Sequence, residues 1–140
     1  MKKLLFTLLF ISINCLSQEK LATPLSVIKN QYKDSKYNLK QWVEDDGTIS
    51  LSLTLKDASG TYYFNKYNKS EVFTLTPVND TALKKYIVLY DKKYKRQKSK
   101  EVKWKVTTPL ADVAVYVENI YLTKIDTNEG SFSALVWQFN

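Results

Sequence analysis

Residues 49–56 read Ile-Ser-Leu-Ser-Leu-Thr-Leu-Lys. Ile49, Leu51, Leu53 and Leu55 alternate with Ser50, Ser52, Thr54 and Lys56. A period of two puts the four apolar side chains on one face of a strand and the polar ones on the other. One buried and one wet face is the pattern of an antiparallel sheet. Asp46-Gly47 stands just before this run and supplies the chemistry of a tight hairpin turn.

Working outward, the same alternation recurs. Val102, Trp104 and Val106 alternate with Lys103, Lys105 and Thr107, and Tyr86, Val88 and Tyr90 alternate with Ile87 and Leu89. Val113, Val115 and Val117 share a face before the apolar set moves to Ile120 and Leu122, which predicts a bulge near Glu118-Asn119. The three glycines fall in turn-like settings, Asp46-Gly47, Ser59-Gly60 and Glu129-Gly130, and Pro77 and Pro109 each close a strand-like run. Strands are predicted near 37–45, 48–57, 60–66, 71–76, 85–94, 101–107, 112–125 and 131–139. Thr23-Pro24 opens the one good helix pattern, Pro24 to Lys33, with Leu25, Ile28 and Tyr32 at helical spacing. A shorter helical turn is expected at Thr81–Lys85. The expected fold is mainly β: an antiparallel meander of about eight strands forming a small barrel or sandwich, with one short N-terminal helix.

Ahead of this pattern lies a different kind of segment. Lys2 and Lys3 precede an apolar run from Leu4 to Ile13, and Cys15 and Ser17 stand three and one positions before Gln18. This is the order of a secretory signal peptide, with cleavage expected between Ser17 and Gln18. The run is about half the ~20 residues that span a bilayer. The expected organisation is a signal peptide, 1–17, and a single β-rich domain, 18–140, exported to the periplasm or the exterior. The alternative is a lipid anchor on Cys15 at the outer membrane, although Ser12 and Asn14 match a lipobox poorly.

Removing 1–17 takes away the single cysteine and two of the 21 cations. The mature chain then has no thiol, and 19 cations against 14 acids leave it at +5. There is no histidine. Ser-His-Asp triads, cysteine nucleophiles and His/Cys zinc sites are excluded for that mature chain. The expectation is therefore a domain that is not an enzyme and holds no cofactor or metal.

Four features point towards function. Lys92, Lys93, Lys95, Arg96, Lys98, Lys100, Lys103 and Lys105 crowd into a short span with Tyr94 and Trp104 interleaved. A hairpin of 85–94 with 101–107 would project Arg96–Lys100 as a cationic lobe able to contact a protein or an acidic envelope glycan or lipid headgroup. The compartment argues against nucleic acid. The plainer reading is a solvated edge whose lysines block aggregation. Tyr62, Tyr63 and Tyr67 cluster near a turn and are candidate aromatic contacts, although strands favour aromatics for packing alone. Glu44-Asp45-Asp46 offers carboxylates for a hard cation, but too few for a calcium loop. Asp80-Thr81-Ala82 resembles the short Asp-Ser/Thr-aliphatic acceptor of bacterial O-glycosylation at Thr81; a capped helix start explains it equally well.

The leading expectation is a small exported binding protein that meets its partner through the basic hairpin. The alternative is a lipocalin-like carrier of a small apolar ligand, although Lys40-Gln41-Trp42 stands where such a barrel usually carries Gly-x-Trp. A small carboxylate or Ser-Lys hydrolase comes third.

Overall fold

The alternating run of residues 49–56 forms a strand in the computed structural model, which describes residues 21–110 and 114–139. The leader 1–17, the cut between Ser17 and Gln18, and Cys15 lie outside the described residues. In chain order the elements are α1 (Leu25–Gln31), a 3-10 turn (Ser35–Tyr37), β1 (Lys40–Val43), β2 (Ile49–Thr54), β3 (Ala58–Phe64) and β4 (Ser70–Pro77). Then follow α2 (Asp80–Lys93), β5 (Lys95–Arg96), β6 (Lys103–Leu110), β7 (Ala114–Thr127) and β8 (Gly130–Phe139).

All eight strands belong to one antiparallel sheet in the order β1-β2-β3-β4-β8-β7-β6-β5. Both β1 and β5 are edges, so the sheet is open and does not close into a barrel. The chain meanders from β1 to β4, crosses to the far edge through α2, and meanders back so that β8 docks on β4. Each half is a helix followed by four strands. The sequence shows no repeat that announces this correspondence.

Two cross-strand rows describe how the sheet works. The first runs Gln41, Leu51, Tyr62, Phe73, and continues Trp137, Ile120, Trp104, Arg96. From Leu51 to Trp104 every member is buried. Both helices cover this face. Tyr32, just past α1, lies 6.3 Å from Tyr62 between ring centroids, and Tyr90 of α2 meets Trp104 at 5.6 Å and Trp137 at 5.2 Å, both edge-on. The helices thus supply the second layer. Burying each large side chain contributes roughly 1.5–3 kcal/mol, so this aromatic row is a main source of the domain's stability.

The length of the second helix is the main departure from the sequence reading, which expected only a helical turn at Thr81–Lys85 and a strand at 85–94. Asn79 caps α2, its side-chain oxygen accepting from Ala82 N at 2.8 Å. Tyr86, Tyr90 and Tyr94 then stack at successive i, i+4 positions, with centroids 6.1 and 5.5 Å apart. Residues 86–90 are all apolar, so both a doubly buried strand and a buried helical stripe fit them. The cap and the cations Lys92 and Lys93 in the last turn settle it for the helix.

Two smaller differences have clear causes. The register of β7 runs unbroken through Glu118-Asn119, where Glu118, Asn119 and Ile120 are all buried: the parity change marks burial of both faces. The register shift falls between Tyr63 and Phe64 instead. Gly60 lies within β3, not in a turn. A Cβ there would sit 2.9 Å from Phe73 Cε2, so glycine serves close packing of the ring.

Candidate functional site

The basic region is built differently from the expected long hairpin. Lys92 and Lys93 end α2, Lys95 and Arg96 form the short edge strand β5, and Lys98 and Lys100 lie in the loop before β6. Gln97 N donates to Lys103 O at 2.9 Å and closes that loop. Residues 91–105 carry eight cations and two carboxylates, a net +6, where the whole sequence sums to +7. The rest of the chain is close to neutral, so the positive charge is concentrated at one sheet edge.

These residues do not all face solvent. Trp104 is 0% exposed. Its Nε1 donates to Asp91 Oδ1 at 2.8 Å, and Arg96 Nη1 donates to Asp91 Oδ2 at 3.1 Å. Arg96 also lies 5.8 Å from the Trp104 ring centroid. Trp104 is therefore corrected from a contact residue to a buried support, and Arg96 is largely engaged in fixing α2 to the hairpin. Tyr94 is half-buried, with Lys93 Nζ 5.3 Å from its ring centroid. Lys92, Lys93, Lys95, Lys98, Lys100 and Lys105 are exposed and Lys103 half-exposed.

The second cross-strand row lies on the face without helices. From the basic edge it runs Lys95, Lys105, Asn119, Gln138, and continues Val72, Tyr63, Ser50, Trp42, with Asn119 and Ser50 buried between their neighbours. Beside it, Lys103 and Tyr121 face each other across β6 and β7, the ammonium 5.8 Å from the ring centroid, and Val136, Thr74, Thr61, Ser52 and Lys40 continue towards β1. Trp42 is 57% and Tyr63 42% exposed. Trp42 Nε1 donates to Ser52 Oγ at 3.3 Å, which steadies the indole. Lys40, Lys95, Lys103 and Lys105 occupy positions in these two rows, and among their described residues there is no carboxylate.

The other candidates separate cleanly. Tyr62 faces the core, 3% exposed, and is corrected as a contact; Tyr63 lies on the open face and Tyr67 is exposed at the β3–β4 turn. Thr81 is exposed in the first turn of α2, beside the Asn79 cap that the plainer reading required. Glu44-Asp45-Asp46-Gly47 forms the β1–β2 turn, with Gly47 at φ +81°. The Thr48 hydroxyl and amide both donate to Asp46 Oδ1, and these bonds, the hydroxyl first, hold the Asp46 carboxyl below its ordinary value. Among the described residues no group of His, Cys, Asp and Glu is placed to hold a metal, and no lysine is buried.

Sequence reasoning missed the open face as a surface. Its signal was the polar half of each alternation: Ser50 and Ser52, Thr61 and Tyr63, Lys103 and Lys105.

Against known proteins the chain matches no family model, and no curated protein or solved structure matches it significantly.

Proposed function

We propose that this is an exported, non-enzymatic binding domain that engages an acidic partner, a protein or an anionic envelope component, through the cationic hairpin and the open sheet face beside it. The observation that carries the reading is the concentration of a net +6 in residues 91–105, next to two open-face rows with four lysines. A localised field of this kind raises encounter rates with acidic surfaces and makes binding fall with salt. The absence of histidine, and of cysteine after Cys15, favours binding over catalysis. The open sheet offers no barrel lumen, which removes the support for a lipocalin-like carrier.

The test is capture of partners from envelope extract by the chain from Gln18 onward, beside a variant carrying Lys95→Glu, Lys98→Glu and Lys105→Glu. Arg96 stays intact because of its structural bond to Asp91. The expected result is partner loss in the variant and in wild type at raised salt. An unchanged set of partners at low salt overturns the reading.

A further inference from the structure

We infer that the open face takes an acidic polysaccharide, with its chain crossing the strands from the basic edge towards β1; this deepens the reading of the protein as a binder of acidic partners, and rests on it. Three observations lead there. First, cations outnumber acids, with Lys95 and Lys105 adjacent at one end of a row and Lys103 beside them, against Glu101, which lines a surface depression with Tyr121 and Gln138. Second, the far end of that row presents two rings, Tyr63 and Trp42, separated by Ser50 on the strand between. Third, what lies between carries mostly hydroxyls and amides, Asn119, Gln138, Thr74, Thr61 and Ser52, with Val72 and Val136 among them, and Asn119 and Ser50 are recessed below their neighbours.

A partner protein would bury a contiguous apolar patch at the centre of its interface. Here the two most exposed rings are separated by the recessed Ser50 and lie to one side, while Val72, Val136 and Tyr121 nearer the centre are only half-exposed, which suits separate sugar rings better. With strands about 4.8 Å apart, the row across eight strands is roughly 34 Å long, and the two rings sit about 10 Å from each other. That is the shape of a site for several consecutive units of a linear chain. Carboxylates on the sugars would pair with the lysine end, and the apolar faces of the sugar rings would lie on Tyr63 and Trp42. The Trp42–Ser52 hydrogen bond holds one platform in place before the ligand arrives.

The experiment is affinity electrophoresis and calorimetry of the chain from Gln18 onward at about 0.15 M salt, where exposed charges are screened beyond ~8 Å. The probes are polygalacturonate, neutral dextran, poly-glutamate and phosphatidylglycerol vesicles. The variants are Lys95→Ala with Lys105→Ala, Trp42→Ala and Tyr63→Ala; Val27→Ala, an exposed side chain of α1 on the opposite face, is the control. Thermal melts confirm that each variant is folded. Polygalacturonate is expected to bind and dextran not to. The double lysine variant should lose at least tenfold in affinity, and Trp42→Ala and Tyr63→Ala each roughly three- to tenfold, with Val27→Ala unchanged.

Polygalacturonate binding that is indifferent to Trp42 and Tyr63 overturns the placement. Lysine-dependent binding of poly-glutamate or vesicles without polygalacturonate overturns the glycan and leaves the acidic-partner reading standing. Failure of all three acidic probes overturns both.

Discussion

The indole Nε1 of Trp104 donates to Asp91 Oδ1 at 2.8 Å, joining the end of α2 to the strand it crosses the sheet to reach. Asp91 also holds Arg96 through its second oxygen. One carboxylate thus fixes the hairpin that carries most of the net charge. Asp91→Ala removes the acceptor of a buried indole and is expected to cost about 1–2 kcal/mol. Asp91→Asn keeps an oxygen for Trp104 and loses only the ion pair with a half-exposed Arg96, so its cost should be smaller, up to about 1 kcal/mol. Chemical denaturation followed by tryptophan fluorescence measures both. Equal losses in the two variants would show that the indole bond contributes nothing.

Gly60 tests the packing of the core row. Its missing side chain leaves room for Phe73, whose ring meets Tyr62 at 4.4 Å and Trp137 at 5.1 Å. Phe73 is fully buried and has little freedom to withdraw. Gly60→Ala is expected to destabilise by about 1–3 kcal/mol through overpacking. Adding Phe73→Leu should recover part of that loss, because the crowded ring atoms are gone. Additive losses in the double variant would place the strain elsewhere.

The two rows explain how much the sequence could reveal. Period two in Ile49–Lys56 identified a strand, and β2 buries Leu51 and Leu53 as that alternation requires, although Ser50 on the polar side is covered as well. Residues 86–90 carried no such asymmetry, so the period could not separate strand from helix; the deciding feature was the Asn79 cap. The basic run was legible as charge, but its geometry depended on α2 and on Trp104 turning inward. The open face required a non-local fact. Val72 stands beside Gln138 only because β8 inserts against β4, and no local pattern encodes that pairing. Tyr62 and Tyr63 are neighbours in sequence and opposites in role, as a strand's alternation demands once its buried face is known.

Glu118 tests the attachment of the N-terminal segment. It is 1% exposed, and its Oε1 accepts from Leu21 N at 3.1 Å. The segment continues with Ala22 N donating to Ser70 O and Leu25 N to Asn68 O. Glu118→Gln keeps an acceptor oxygen and should be tolerated better than Glu118→Ala. The alanine variant leaves a buried amide without this acceptor, and about 1–3 kcal/mol is the expected cost. Amide exchange should quicken first at Leu21 and Ala22 and only later in the core row. Exchange rising uniformly across the sheet would contradict a local anchoring role.

Asp46 gives a pH-dependent prediction with a defined sign. Hydrogen bonds from the Thr48 hydroxyl and then the amide lower its carboxyl below 3.8, so the folded state holds this proton less tightly than the unfolded chain. The stabilisation is complete above the unfolded aspartate value and is lost as pH falls through the lower folded value. Thr48→Val removes the hydroxyl donor and keeps the amide. The Asp46 carboxyl should then move up towards 3.8 while remaining below it. A carboxyl-carbon NMR titration across the acidic range reads this directly. An unmoved midpoint in Thr48→Val would assign the whole shift to the backbone amide, and the turn would then owe its acid sensitivity to Gly47 geometry rather than to Thr48 chemistry.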